Sequence, residues 1–553
     1  MKTRIVLLFT LLLIVNVVLI AQAPEWQWAT QAGGGNNNDD GYAITIDDAG
    51  NSYVTGCFED TATFGSYSLI SSGNMDIFVA KIDAIGNWLW ATRAGGTSYD
   101  YGLAITIDNT GNSYVTGYFE STATFGSYSL TSSGGADIFL AKMDDSGNWL
   151  WATKAGGTYG DCGYGITIDN AGNSYVTGDF LGTATFGSYS LTSSSSEDIF
   201  VAKMDAIGNW QWATQAGGTG SNEGKAITID DAGNSYVTGY FSGTASFGSY
   251  SLTSSNSQDI FVAKIDDSGN WQWATRAGGT GEDMGLGITI DNASNSYVTG
   301  IFIGTATFGS YTLTSSGLED IFVAKMDADG IWQWVNKAGG DNWDGGNAIK
   351  IDDSGNSYVT GYFNETATFG SYSLTSSNSQ DIFVAKMDNS GNWQWATRAG
   401  GTGDDCGYGI TIDNAGNSYV IGSFGGTATF GSHYLTSNGG SDIFVAKLNS
   451  SVFAENEIIP IEMELSNYPN PFNPSTTISF SLTAKDAKNA KIEIYNLKGQ
   501  NIKKLEIRNL KLGINEVVWD GKDENNQPVG SGIYFYKLKT DNFEKTRKMI
   551  LIK

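Results

Sequence analysis

The sequence predicts an all-β protein: a closed ring of seven four-stranded repeats, followed by a small β-sandwich. Three observations carry this. Trp-x-Trp pairs begin at Trp26, Trp88, Trp149, Trp210, Trp271, Trp332 and Trp393, a first step of 62 residues and then steps of 61. A fixed period of this size marks a repeat architecture, in which stacked neighbours bury each other's faces. Second, each unit consists of short runs of Ile, Val, Thr, Tyr, Phe and Trp bounded by Gly, Asn, Asp and Ser, with no helical period. No proline falls within residues 25–459, so every run is free to be a central strand. Third, the two ends complement each other. The last repeat stops at "DIFVAKLNSS" (442–451) without a Trp-x-Trp segment, and the first Trp-x-Trp segment, "WQWAT" (26–30), has no "DIFVAK" before it.

The elements follow in chain order. Residues 1–23 carry Lys2 and Arg4, an apolar run from Ile5 to Ile20, and Ala21-Gln22-Ala23. That is the pattern of a secretory signal peptide with its cleavage site. No other stretch is long and apolar enough to span a bilayer as a helix, so the exported chain is expected to carry no transmembrane segment. Within a repeat, "ITID" and "SYVTGYF" are joined by "DAGN" or a similar tight turn, and "DIFVAK" and "WQWAT" by "SGN" or "IGN". "GTATFGSYSLTSS" lies between the two hairpins, as a small extra hairpin or an extended excursion. "IFVA" is apolar on both faces, as a strand between two packed neighbours must be. "WQWA" alternates, which predicts both Trp on one face of an outer strand. Starting each unit at "ITID" gives the order ITID, SYVTGYF, DIFVAK, WQWAT from axis to rim. The seventh unit then lacks its fourth strand, and residues 26–30 supply it, which removes the open edge of an unclosed array. Residues 24–449 are thus expected to form a seven-bladed β-propeller closed by its N-terminal strand.

The unit "IDDAGNSYVTGYFSGTASFGSYSLTSS" with "DIFVAKID" resembles the bacterial seven-bladed β-propeller repeat, the SBBP family, over residues 26–449. The resemblance implies the fold and an extracellular setting, with no common substrate or reaction.

Residues 450–466 read as a linker, and 467–553 as a second all-β domain with strands in "AKIEIYNLKG", "NEVVWDGKD", "GIYFYKLKT" and "KTRKMILIK". With Tyr468-Pro469-Asn470-Pro471, "IYNLKGQNI" (494–502) and Gly532-Ile533-Tyr534, it resembles the Ig-like module of flagellar hook-capping proteins and the C-terminal sorting domain of type IX secretion cargo. That resemblance implies the type IX secretion machinery as a partner. It also implies release or anchoring at the outer surface of a Gram-negative bacterium.

Charge narrows the partners. The formal net charge is −27. Residues 24–449 hold 14 Lys/Arg against 45 Asp/Glu, a balance of −31, whereas 465–553 hold 15 against 9, a balance of +6. An acidic repeat region argues against nucleic acid, whose binding requires basic side chains on phosphates. The only histidine is His433, and the three cysteines, Cys57, Cys162 and Cys406, form no cluster in sequence. Neither a multi-imidazole metal site nor a Ser-His-Asp triad with a nucleophile elbow is legible.

Candidate binding residues remain. Lys81, Lys142, Lys203, Lys264, Lys325, Lys386 and Lys447 recur at the end of "FVAK" or "FLAK". They read either as a ring of cationic contacts or as stems packed on apolar surface and paired to the recurring Asp47, Asp108, Asp169, Asp230, Asp291, Asp352 and Asp413. Asp39, Asp100, Asp161, Asp283, Asp344 and Asp405, with Asn222 at the fourth repeat, precede the innermost strand. At a mouth of the central channel such a ring has the oxygen chemistry for Ca²⁺; the same residues also suit Asx-type turns with a φ > 0 glycine. Trp343 and Asp341 stand in "GGDNWDGG", a loop where other repeats have no aromatic residue, and are candidates for ligand contact. The expected function is non-enzymatic: binding or display towards an extracellular protein or glycan. The alternatives are a polysaccharide hydrolase or lyase on the propeller mouth, and a structural surface-layer component.

Overall fold

The computed structural model describes residues 24–35, 37–450, 465–482, 490–505, 513–540 and 544–553. The expected signal peptide and most of the expected linker lie outside the described residues. The chain divides into two compact units, Met1–Val452 and Phe453–Lys553, and no helix occurs among the described residues.

In the first unit each repeat forms a four-stranded antiparallel sheet. In the second repeat Asp100–Ile107, Ser113–Phe119, Asp137–Met143 and Trp149–Ala155 pair in that order. The first turn shows why "IDxxGN" recurs. Asp108 Oδ1 accepts the backbone N–H groups of Thr110 and Asn112 at 3.0 Å, the Asn112 side chain donates to Oδ2 at 2.7 Å, and Gly111 takes a φ of 81°. Such an Asx turn closes the hairpin without a long loop.

The segment between the hairpins is itself a hairpin, Thr122–Phe125 with Tyr128–Thr131. Its first strand pairs with the end of the preceding repeat's Trp strand, Ala123↔Gly96 and Thr124↔Gly95. It therefore ties neighbours together. At the ends of the unit, Trp26–Gly33 pairs with His433–Leu448, including Ala29↔Ala446 and Gln31↔Phe444, and continues onto the first repeat's small hairpin through Ala32↔Phe64. The N-terminal strand is thus the fourth strand of the last repeat. The seven innermost strands touch in sequence, and Cys406–Ile412 touches Asp40–Ile46, so the ring of inner strands is closed.

The core lies between repeats. Tyr53, Ile77, Val79 and Ala94 of one repeat pack against Ile105, Val115, Phe119, Phe125, Phe139 and Met143 of the next. Equivalent clusters fill the other interfaces. Each fully buried large apolar side chain contributes about 1.5–3 kcal/mol, which is why "IFVA" is apolar on both faces.

The two Trp of a segment do not share a face, contrary to the alternation expected of a regular strand. Trp88 pairs with Ile82 and Trp90 with Lys81, so a β-bulge leaves Leu89 as the extra residue. Adjacent partners face opposite ways, and so do the two Trp. Trp88 meets Phe64 edge-on at 5.1 Å, whereas Trp90 meets Tyr53 at 6.4 Å and donates Nε1–H to the Asp145 carbonyl of the next repeat at 3.0 Å.

The second unit holds two sheets. One contains Leu465–Tyr468, Thr476–Leu482 and Gly513–Trp519; the other contains Asn501–Leu505, Lys491–Asn496, Gly532–Lys539 and Glu544–Leu551. Trp519 is fully buried between them, with Phe472 at 5.6 Å and Tyr534 at 5.1 Å, and its Nε1–H donates to the Lys522 carbonyl.

Candidate functional site

The recurring charged residues are built into the framework. Each repeated lysine lies over the ring of its repeat's second-strand tyrosine, as Lys81 does over Tyr53 at 4.6 Å and Lys142 over Tyr114 at 4.5 Å. Six of the seven have an "ITID" or "IKID" aspartate within 3.5–3.9 Å, and Lys203 pairs with Asp267 instead. A lysine stem packed on aromatic surface with its head paired is a structural contact.

Asp39, Asp100, Asp161, Asp283, Asp344 and Asp405 do not line an open mouth: each is fully buried. Asp100 shows the geometry. Its Oδ2 accepts the Gly96 N–H at 2.7 Å and its Oδ1 accepts the Glu120 N–H at 3.1 Å. One carboxylate thus joins the preceding repeat's Trp strand to the second strand of its own repeat. The glycine two residues on is not in the positive-φ region. A Cβ at Gly102 would collide with Thr55 Oγ1 and come within 3.0 Å of Ile77 Cγ2, so close approach of the neighbour excludes a side chain.

A second buried aspartate faces each of these six. Asp76 pairs with Arg93 through Oδ2, and its buried Oδ1 has no hydrogen-bond partner. A Cβ on Gly95 would lie 2.6 Å from that Oδ1 and 3.0 Å from Asp100 Oδ2, which places the two carboxyls side by side. Burial pushes Asp100 up to about 7, with the nearby Asp76 charge adding to the rise. Burial likewise raises Asp39, Asp161, Asp283, Asp344 and Asp405 to about 7. At the fourth repeat Asn222 takes this place, and its Nδ2 donates to Asp198 Oδ1 at 3.4 Å. Among the described residues no group of three or more His, Cys, Asp or Glu is arranged to hold a metal ion. Trp343, 45% exposed, and the exposed Asp341 lie on the loop between Trp332–Ala338 and Gly345–Ile351; Asp344 beside them is buried.

The non-repeating residues gather elsewhere, at the N-terminal ends of the inner strands. The residues before and after the recurring glycine are Asp40/Tyr42, Tyr101/Leu103, Cys162/Tyr164, Glu223/Lys225, Met284/Leu286, Gly345/Asn347 and Cys406/Tyr408. The first of each pair lies opposite an equally variable second-strand residue, as in Tyr101↔Tyr118, Cys162↔Asp179 and Glu223↔Tyr240. The second is the extra residue of a β-bulge, as at Gly102/Ala104, and a bulge re-aims the side chain it carries. Their side chains meet around the ring. Tyr101 stacks on Tyr118 at 4.9 Å, and Tyr42 lies 6.3 Å from Tyr101 and 5.4 Å from Tyr408. Lys225 is ion-paired to Glu223, which also accepts the Tyr240 hydroxyl. All three cysteines sit in this layer. Burial holds Cys57 well above the usual thiol range and pushes Cys406 up to about 12, so both stay protonated and poorly nucleophilic. A cavity of about 400 Å³ opens between the last and first repeats, lined by Asp40, Cys406, Tyr408, Ser423 and neighbours. Periodicity points to what recurs, and these positions are those that do not; lining up the seven inner strands is the signal that exposes them.

A model described as a beta-propeller repeat matches residues 27–56, 89–118, 211–240 and 394–423, and one described as the FlgD Ig-like domain matches residues 469–543. The matches fall on the first and second units respectively. Among curated proteins, the chain is 26% identical over 421 residues to an uncharacterized WD repeat-containing protein of Acanthamoeba polyphaga mimivirus, covering 59% of this chain and 30% of that protein. It is 28% identical over 309 residues to the regulatory protein FlaEY of Caulobacter vibrioides, covering 51% and 32%. The chain thus spans about a third of the length of these curated relatives. Among solved structures it is similar to PorZ, described as an essential surface component of the type-IX secretion system of Porphyromonas gingivalis, at a TM-score of 0.25 and 12% identity, covering 94% of this chain and 75% of that one. A puromycin hydrolase variant matches at a TM-score of 0.34 and 7% identity, covering 80% and 58%.

Proposed function

We propose that the chain is a secreted or cell-surface β-propeller of seven blades that binds an extracellular protein or glycan at the tyrosine-rich end of its inner ring, without catalysing a reaction on it. One observation carries this reading: the framework is copied from repeat to repeat, while chemical variety is concentrated where the inner strands begin. A binding surface for one ligand must be asymmetric, and a scaffold need not be. Tyrosine faces stack on sugar rings or apolar peptide, and their hydroxyls and the adjacent carboxylates supply orientation. The neutral thiols and the single histidine offer no activated nucleophile, which supports binding over turnover. Trp343 and Asp341, exposed on the loop that leads into the inner strand Gly345–Ile351, are proposed to contribute to the same surface. The signal-peptide pattern ending at Ala23 and the Tyr468-Pro469-Asn470-Pro471 module support export, with the second unit carrying the first through the type IX secretion machinery to the outer surface of a Gram-negative bacterium.

The test is an array of glycans and surface proteins probed with the full chain, in Ca²⁺ and in chelator, with released products analysed. Saturable, chelator-insensitive binding without product release is expected. Product release would overturn the non-enzymatic reading, and absence of binding across the array would overturn the glycan and protein-ligand reading alike.

A further inference from the structure

The inner strand Cys-Gly-Tyr-Gly occurs twice, at 162–165 and 406–409. Beside the first copy, the following repeat supplies Glu223 and Lys225. The Lys225 ammonium lies 3.8 Å from the Tyr164 ring centroid and 5.6 Å from that of Tyr240, and is ion-paired to Glu223. Asp179, from the same repeat as Tyr164, is buried close by, and burial with the nearby Glu223 charge holds its carboxyl well above the usual range. The protein's own amine therefore sits between two tyrosine faces and the Glu223 carboxylate, the arrangement that favours a cation.

Beside the second copy part of that frame recurs without the amine, with Ser423 in the place of Asp179 and Cys57 in the place of Tyr240. Asp40 stands where Glu223 stands, Tyr408 where Tyr164 stands, and Tyr42 where Lys225 stands. Tyr42 brings a second ring to within 5.4 Å of Tyr408, at an interplanar angle of 58°. The cavity of about 400 Å³ opens at this place; Asp40 and Asp404 line it, and no Lys or Arg does. The Asp40 carboxyl and the Tyr408 ring are thus kept beside an open space, and the positive charge that completes the other copy is missing.

We infer that the pocket between the last and first repeats binds a protonated amine of the ligand, a lysine side chain or a comparable organic cation, between Asp40, Asp404 and the ring of Tyr408. The inference rests on the ligand site proposed above and names the chemistry that it recognises. It makes a protein or an amine-bearing polymer the better fit to the site than a neutral glycan.

The test titrates the full chain with Nα-acetyl-lysine methylamide, and with the isosteric Nα-acetyl-norleucine methylamide, by calorimetry and by NMR. One lysine analogue per chain is expected, with the norleucine analogue at least tenfold weaker. Asp40→Asn should weaken the lysine analogue at least tenfold and Asp40→Glu should retain it, with the melting temperature of each variant recorded. Lys225→Tyr, which removes the internal amine and puts at the fourth repeat the residue type of Tyr42, should add a second site beside Glu223 and Tyr164. Equal binding of the norleucine analogue, full binding by a folded Asp40→Asn chain, or no second site in Lys225→Tyr would each overturn the inference. A chain that binds its array ligand but no amine refutes this inference alone; one that binds neither refutes the proposed function as well.

Discussion

Two layers of the first unit follow opposite rules. Between repeats, Phe64, Phe125, Phe186, Phe247, Phe308, Phe369 and Phe430 are all fully buried, and a Trp meets each of them edge-on at 5.1–5.3 Å. At the start of the inner strands, the equivalent positions hold Asp, Tyr, Cys, Glu, Met and Gly. The first layer is copied because each interface must have the same shape for the ring to close, and close packing tolerates little change in volume. The second layer packs too, with Tyr101 on Tyr118 and Tyr42 beside Tyr408, but its contacts differ from one pair of repeats to the next, so its residues are free to differ. Uniformity marks the part that holds the fold, and variety marks the part that is available for a ligand.

The sharpest way to break this contrast is to remove Trp26–Gly33. The last repeat then loses its fourth strand and exposes an open edge. The loss is expected to exceed that of any single core substitution, with a chain that self-associates and unfolds without one cooperative transition. A monomer with an unchanged melting temperature, seen by calorimetry and size-exclusion chromatography, would refute closure by this strand.

Next comes Phe200→Ala in the interface between the second and third repeats. A cavity at this fully buried position should cost about 3–5 kcal/mol in urea unfolding. A loss below 1 kcal/mol would mean that the interface is not tightly packed.

The facing aspartates give a pH dependence. In the folded chain Asp100 and its five counterparts hold their protons up to about 7, whereas an unfolded carboxyl releases its proton near the ordinary 3.8. The folded state therefore binds more protons between those values, so stability falls as pH rises through this window. Melting temperature should decline from about pH 5 to pH 8, and Asp100→Asn, which copies Asn222, should make the decline shallower. A melting temperature that rises over this range would contradict the facing-carboxyl geometry.

The smallest effect on stability is expected at the inner ring. Tyr101→Ala should change stability by about 1 kcal/mol or less, since Tyr101 is only half-buried and makes its principal contact with Tyr118. A loss as large as that of Phe200→Ala would erase the distinction between the two layers.

Much of the framework is legible in the sequence. The strand order, the closure by residues 26–30 and the pairing of lysines such as Lys81 with Asp47 follow from period, turn chemistry and face. Other features depend on contacts that periodicity does not encode. Leu89 is an ordinary residue in an alternating run, and only the partner strand makes it a bulge that turns Trp88 and Trp90 to opposite faces. Asp100 reads as a turn residue or a metal ligand until Gly96 and Glu120, from two different strands, are seen to hold it. Thr122–Phe125 is legible as a strand, but its pairing with the preceding repeat is not. Asp40, Tyr101 and Tyr408 interrupt the repeat pattern, and only the ring of inner strands shows that such interruptions share one place.

The measurement that bears most directly on this division combines binding and melting in one sample: the double variant Tyr101→Ala/Tyr118→Ala, probed with the array ligand and followed by calorimetry. Loss of binding with a melting temperature within a few degrees of the parent chain is the predicted result. Retained binding by a folded variant would contradict the assignment of function to the inner ring.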